Sequence, residues 1–137
     1  MPSCLNPDLQ RNQYVTTALI LFAHGARDPE WANPMRAVQA RVAEQAGAVD
    51  VRLAFLEFMS PTLGEAVSEL VASGAGRIVI LPMFIARGGH LKRELPEMIG
   101  QLRLAYPEID FSLAPVIGEQ ERVIQAMADS AREITGL

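Results

Sequence analysis

The chain has 137 residues, of which 50% are hydrophobic and 20% charged, and its formal net charge is -4. This composition is that of one ordinary globular domain, large enough to bury a core without disulfides or a structural metal. The acidic balance argues against a general nucleic-acid binder, which usually carries a basic face. No apolar run in the sequence approaches the roughly 18 residues that a membrane span needs.

Residues 1–16 are polar and contain no apolar segment of the kind found in a secretory signal. We therefore expect a flexible N-terminal extension ahead of a single domain over residues 17–137. The only cysteine, Cys4, cannot form an internal disulfide. A chain without disulfides fits the reducing cytoplasm, which is the location that we expect.

Four short apolar runs indicate β-strands, and each is followed by a segment with helical spacing. The runs are residues 18–23, 51–56, 77–84 and 110–114. The first and third are apolar on both faces, as are the central strands of a covered parallel sheet, whereas the last alternates like an edge strand. The alternation predicts a doubly wound α/β fold, with a four-stranded parallel sheet of order 2-1-3-4 and helices on both faces.

Capping residues and apolar stripes predict where the helices lie. Asp28, followed by proline, is typical of a helix start, and Thr62 with Glu65 resembles a capping box for the second helix. We expect the third helix to begin near Pro96. The last should span about residues 119–134, with one apolar side formed by Val123, Met127 and Ile134.

Both histidines of the chain fall where a ligand is expected. Ligands of open parallel sheets bind beyond the carboxyl ends of the strands, where the strand order reverses, here between strands one and three. His24 follows the first of these strands and His90 the other, and Glu57 ends the neighbouring second strand. Two imidazoles and a carboxylate are a common ligand set for borderline divalent ions. The sequence therefore predicts a metal site with open coordination positions.

Each of these residues also has an ordinary structural interpretation. A lone histidine at a strand end is more often a hydrogen-bonded turn residue than a ligand, and Glu57 could instead cap the helix that begins near Ser60. The arrival of both His24 and His90 at one predicted crevice favours the metal site.

Other residues after these strands suggest what the crevice binds. The basic side chains are each ordinary loop charges when taken alone, but together on an acidic protein they indicate an anionic ligand; they are Arg27, Arg87, Lys92 and Arg93. Gly88 and Gly89 are by themselves weak evidence, since paired glycines usually make turns. The apolar residues that could wall a flat ligand are Phe58, Met59, Met83, Phe84 and Ile85, although Met83 and Phe84 are as readily core.

Three motifs in this order resemble the short form of the class II sirohydrochlorin chelatases, the small CbiX type of sirohydrochlorin cobaltochelatase. They are HG-x-R-D-P-x-W from His24, F-L-E-x-x-x-P from Phe55, and P-x-F-x-x-x-GGH-x-x-x-x-LP from Pro82. The resemblance covers about residues 18–135. It implies that His24 and His90 bind the metal and that Glu57 accepts protons or is a further ligand.

The resemblance also implies an activity. A chelatase of this type is a lyase that inserts a divalent metal into sirohydrochlorin or a related tetrapyrrole of cobalamin or siroheme biosynthesis. Co²⁺ is the first choice, with Fe²⁺ and Ni²⁺ as alternatives, and no organic cofactor is implied. The carboxylates of the substrate would meet the basic side chains and the Gly88-Gly89 loop. Short forms resemble one half of the longer members and act as homodimers, and neither nucleic acid nor membrane is an implied partner.

Three other functions fit parts of the pattern. A non-catalytic metal or tetrapyrrole carrier would use the same ligands, and a plain flavodoxin-like interaction module would bind no metal. A phosphoryl-transfer enzyme of the histidine-phosphatase kind also places His-Gly after its first strand. That enzyme needs an arginine immediately before the histidine, where this chain has Ala23.

Overall fold

The structure is a computed structural model that describes residues 15–137. Most of the extension predicted over residues 1–16, together with Cys4, lies outside the described residues. Over the part that is described, no helix combines the length and the apolar character needed to cross a membrane.

Within residues 15–137, four strands alternate with four α-helices. They are β1 (Thr17–Ala23), α1 (Asn33–Gln45), β2 (Asp50–Phe55), α2 (Leu63–Ala72), β3 (Arg77–Pro82), α3 (Gly89–Ala105), β4 (Asp110–Leu113) and α4 (Glu121–Ile134). Short 3-10 turns at Pro29–Ala32 and Ile117–Glu119 precede α1 and α4. All strand pairs are parallel, in the order β2-β1-β3-β4. The predicted fold class is therefore confirmed, with β1 and β3 as the central strands.

Most of the core lies between one face of the sheet and the helices α2 and α3. Alternate residues of the central strands point into it, because successive strand residues face opposite sides. The fully buried side chains here include Ile20, Phe22, Ile78 and Ile80 from the sheet, Leu70 from α2, and Leu95 and Ile99 from α3. Each such side chain stabilises the fold by roughly 1.5–3 kcal/mol through burial alone.

The other face of the sheet is covered by a smaller cluster. Ala23 and Phe55, at the carboxyl ends of β1 and β2, pack with Ala32 and with the half-buried Met35 of α1. This small cluster lies directly beneath the residues that follow the two strands. It therefore supports the edge of the sheet at which the ligand site is predicted.

Two helices begin at residues other than the predicted ones. Asp28 accepts a hydrogen bond from the Glu30 N–H, but it caps the 3-10 turn rather than α1. The α-helix begins afresh at Asn33 because Pro34 has no N–H with which to continue the turn. α3 begins at Gly89 rather than near Pro96, which lies inside the helix. The Thr62 cap of α2 is confirmed, since its hydroxyl accepts from the Glu65 N–H over 3.2 Å.

The last helix is the least buried of the four. Within residues 15–137, α4 has no buried residue, and its contacts are chiefly with the 3-10 turn that precedes it. Its predicted apolar side is left open: Met127 is 41% exposed and Ile134 87% exposed, and Ile124 is 43% exposed beside them. An amphipathic helix with its apolar side in water indicates a surface that another molecule covers.

One charged group joins β2 to α2. Arg52 donates to Asp50 over 3.0 Å and to Glu69 of α2 over 3.1 Å. The hydrogen bond that Arg52 donates to the Asp50 carboxylate raises the pKa of Arg52 above its ordinary value. The guanidinium is therefore a permanent positive charge that ties the amino-terminal end of β2 to α2.

Candidate metal centre

His24 and Glu57 lie side by side because β1 and β2 continue to pair beyond their ends. The Leu56 N–H donates to the Ala23 carbonyl over 2.9 Å, and the Glu57 N–H donates to the His24 carbonyl over 3.0 Å. The strand register ends with Ala23 opposite Phe55, and these two hydrogen bonds keep the following segments together at the edge where a parallel sheet binds its ligands.

This close approach of the two segments requires a glycine after the histidine. Gly25 has a φ of 92°, in the region that only glycine adopts readily. A Cβ at this position would overlap the carbonyl oxygen of Glu57. Gly25 therefore allows the His24 and Glu57 backbones to meet.

The side chains of the two residues form a direct pair. His24 Nε2 lies 2.8 Å from Glu57 Oε1, and the two side chains are 50% and 48% exposed. A distance of 2.8 Å between a ring nitrogen and a carboxylate oxygen is that of a hydrogen bond. Both groups are of types that bind borderline divalent ions, and the pair is open to solvent. Glu57 does not cap α2, because Thr62 fills that position.

A buried aromatic ring holds the His24 imidazole from the side. The rings of His24 and Phe84 meet edge to face, with centroids 6.4 Å apart and planes at 77°. Phe84 is only 8% exposed and makes a similar contact with Phe22 at 6.1 Å. Phe84 is therefore core and also the support of the predicted ligand. From the sequence, Phe84 could be either a core residue or part of the ligand site. The only sequence feature that linked Phe84 to the site was its position two residues after β3.

His90 has its own carboxylate partner, which the sequence analysis missed. Gly88 is the N-cap of α3 and Gly89 its first residue, so His90 lies in the first helical turn. There its Nε2 is 2.7 Å from Glu94 Oε1, one turn further along, while its side chain is 84% exposed. The signal was the four-residue spacing of His90 and Glu94, which places them on one helix face. Because α3 was expected to begin near Pro96, the pairing of His90 with Glu94 was not predicted.

The structure thus joins His24 to Glu57 and, separately, His90 to Glu94. Across residues 15–137 no three histidine, cysteine, aspartate or glutamate side chains lie close enough together to hold a metal ion. The binding of one ion by both His24 and His90 therefore stays a prediction.

The predicted basic residues have different surroundings. The Arg27 guanidinium carbon lies 5.2 Å from the centre of the Phe58 ring. Arg87 instead pairs with Glu119, with Nη2 and Oε2 3.4 Å apart. Lys92 and Arg93 are exposed on the first turns of α3, and within residues 15–137 neither has an ion-pair partner.

A cavity of about 320 Å³ opens beside the Arg87–Glu119 pair, at the carboxyl ends of β3 and β4. Its walls are mainly apolar and include Leu95, Leu113 and Val116. His24, Glu57 and His90 do not line it. The cavity is therefore separate from the His24–Glu57 pair.

A family model and two curated proteins similar to this chain point to the same protein family. The model of the CbiX family matches residues 18–134. A sirohydrochlorin cobaltochelatase of Saccharolobus solfataricus is 32% identical over 123 residues, which cover 84% of this chain and 93% of the relative. The same-named protein of Saccharolobus islandicus strain Y.G.57.14 is 33% identical with the same coverage.

Two solved structures have a fold similar to that of this chain. A cobalamin (vitamin B12) biosynthesis CbiX protein from Marinobacter aquaeolei VT8 superposes with a TM-score of 0.78 at 27% identity, over 88% of this chain and 98% of that one. The sirohydrochlorin chelatase SirB from Bacillus subtilis subspecies spizizenii, in complex with cobalt, superposes with a TM-score of 0.74 at 26% identity. The match covers 88% of this chain but only 51% of SirB, so this chain corresponds to about half of that protein.

The sheet order and the residues at its edge place the fold among the chelatase-like α/β domains. The chain belongs to the CbiX family.

Proposed function

We propose that this chain inserts a divalent metal ion into sirohydrochlorin or a closely related tetrapyrrole. The observation that carries the proposal is the His24–Glu57 pair, 2.8 Å apart and open to solvent, at the ligand-binding edge of a CbiX-family domain. An imidazole and a carboxylate together attract a borderline ion from water. Because the protein supplies few ligands, the ion can still pass to the four nitrogens of a macrocycle.

The reaction also requires a route for protons. Insertion replaces two pyrrole N–H protons with one M²⁺, so two protons leave the ring for every ion that enters it. The Glu57 carboxylate lies beside His24 and is placed to accept one proton from the ring as the ion leaves the protein. Solvent reaches both side chains, which are about half exposed, and removes the protons from the site.

His90 is the second imidazole of the proposed site. It lies on the first turn of α3, highly exposed, and Glu94 holds its Nε2. A carboxylate on one ring nitrogen fixes the tautomer and orients the other nitrogen toward a ligand, an arrangement common in metal sites. We propose that Nδ1 of His90 meets the ion from across the crevice.

We propose Co²⁺ as the first metal, with Fe²⁺ and Ni²⁺ as alternatives, in cobalamin or siroheme biosynthesis. The names of the Saccharolobus relatives support cobalt. SirB has been solved with cobalt and, from Bacillus subtilis, with Fe³⁺. Imidazole and carboxylate accept all three divalent ions, so the donor set alone does not select among them. We also infer a cytoplasmic location, because the single cysteine forms no internal disulfide.

The working unit that we propose is a homodimer. This chain corresponds to about half of SirB, and a second copy would supply the other half of an enclosing site. The exposed apolar side of α4, with Ile124, Met127 and Ile134, is suited to bury against that copy. A dimer would also bring a second set of imidazoles toward one crevice.

Replacing Met127 with glutamate should break the proposed dimer, because association would then have to bury an unpaired carboxylate. We expect at least a 100-fold rise in the dimer dissociation constant, on the order of 3 kcal/mol. Sedimentation velocity over a concentration series measures it. Gln125→Glu, at an exposed position on the opposite side of the same helix, is the matched control and should stay dimeric. A monomeric wild type, or a Met127→Glu variant that remains dimeric, would rule out this interface.

The proposed activity is tested by following the absorbance of sirohydrochlorin with each metal in turn, at substoichiometric protein. Metallation beyond one equivalent per protein, faster than without protein, is the expected result. Stoichiometric uptake of metal or tetrapyrrole without turnover would show a carrier instead of a chelatase. No binding of either would refute both functions.

A further inference from the structure

Phe58 has a backbone conformation that an aromatic residue seldom adopts. Its φ is 66°, and it is the one residue other than glycine with a positive φ in the part of the chain that the structure describes. Such a conformation is unfavourable for a bulky side chain and persists where the surrounding structure or a function requires it. Phe58 immediately follows Glu57, one member of the proposed metal centre.

Among residues 15–137, packing gives no reason for a phenylalanine at this position. The residue is 58% exposed and belongs to neither core cluster. The Arg27 guanidinium, 5.2 Å from the ring centre, makes a cation–π contact. Such contacts are weak at exposed sites. A glycine or asparagine would fit the backbone more easily and expose no apolar surface.

The fixed backbone on either side explains how the ring is placed. The Glu57 N–H is held by the His24 carbonyl, and Gly25 packs against the Glu57 carbonyl. The left-handed backbone conformation of Phe58 then turns the chain outward directly after Glu57. As a result the Phe58 ring lies beside the loop that follows β1, next to Arg27, and most of it faces solvent at the edge that carries His24.

We propose that Phe58 is a stacking platform for the macrocycle, and that its ring holds Arg27 ready for a peripheral carboxylate of the same ligand. This inference rests on the proposed function and names the residues that would position the substrate over the His24–Glu57 pair. A tetrapyrrole is flat, aromatic and polyanionic. An exposed phenyl ring offers it offset stacking, and a guanidinium next to that ring offers it charge-assisted hydrogen bonds.

The test compares Phe58→Asn with Phe58→Tyr. Asparagine tolerates a positive φ but cannot stack, whereas tyrosine keeps the ring. The dissociation constant for metal-free sirohydrochlorin is read from quenching of the single tryptophan, Trp31, and thus independently of insertion. We expect the asparagine variant to bind about tenfold more weakly and the tyrosine variant to bind within about twofold of wild type. In the insertion assay, the asparagine change should raise KM and leave kcat within about twofold.

Thermal unfolding separates this role from a structural one. If Phe58 serves the ligand, Phe58→Asn relieves strain and the unfolding midpoint does not fall. A fall of more than about 4 °C, or unchanged affinity in the asparagine variant, would overturn the inference. If wild type binds and metallates sirohydrochlorin while Phe58→Asn is unaffected, only this inference fails. If wild type neither binds nor metallates it, the proposed function fails and this inference fails with it.

Discussion

Replacing His24 with alanine is expected to lower the rate of metal insertion by about 100-fold or more. The substitution removes the imidazole that lies 2.8 Å from Glu57 Oε1, and it leaves only Glu57 and His90 of the proposed ligands to capture the ion. Even the loss of a residue that only supports a metal ligand typically costs 10- to 100-fold. Steady-state insertion with the preferred metal measures the effect.

The fold should survive this change, because the His24 side chain is half exposed and no core residue depends on it except for the ring edge of Phe84. The free energy of unfolding is expected to change by less than about 1 kcal/mol. His24→Gln is the matched control, since its amide can still pair with Glu57 but is a poor ligand for these ions. Near-normal insertion by both variants would show that His24 has no part in metal delivery.

Replacing Gly25 with alanine should have the largest effect on stability of any change at the site. The new Cβ would overlap the Glu57 carbonyl oxygen, and the φ of 92° would be strained as well. We expect a loss of about 2–4 kcal/mol in the free energy of unfolding. Insertion should fall too, because His24 and Glu57 can no longer meet. Urea denaturation followed by circular dichroism measures the loss.

The chain offers a matched control for that substitution. Gly64 lies in the first turn of α2, and a Cβ there would have nothing within 4 Å. Gly64→Ala should therefore leave stability unchanged or raise it by up to about 1 kcal/mol. If the two alanine variants were equally stable, the close approach at Gly25 would not be what holds the site together.

The arrangement of the strands was predictable because parallel central strands are continuously apolar. The runs in β1 and β3 have that pattern, and right-handed crossovers leave few ways to order four such strands. The same rules place His24 and Glu57 at one edge of the sheet. Their pairing follows from strand register, which the sequence determines through its hydrophobic pattern.

Contacts that depend on three-dimensional packing were not predictable in this way. Phe84 supports His24 only because the loop after β3 folds back on Phe22. Glu94 reaches His90 only because α3 starts at Gly89, several residues before the proline that suggested its start. Proline is much more common at the first turn of a helix than in its interior, so Pro96 indicated the wrong start for α3.

The surface that covers the apolar side of α4 could not be predicted from the sequence, for a different reason. The apolar stripe of Val123, Met127 and Ile134 predicts a helix over about residues 119–134, and the structure has one over Glu121–Ile134. A stripe does not say which surface covers it. Within the single chain, the described structure leaves that side open to solvent.

The most direct test of the metal centre is X-ray absorption at the cobalt edge on Co²⁺-loaded protein, for wild type and for His24→Ala and Glu57→Gln. We predict imidazole scattering in wild type that is diminished in His24→Ala, and a changed set of oxygen ligands in Glu57→Gln. Identical spectra and equal Co²⁺ affinity in all three proteins would contradict the assignment of this edge of the sheet as the place where the ion is held.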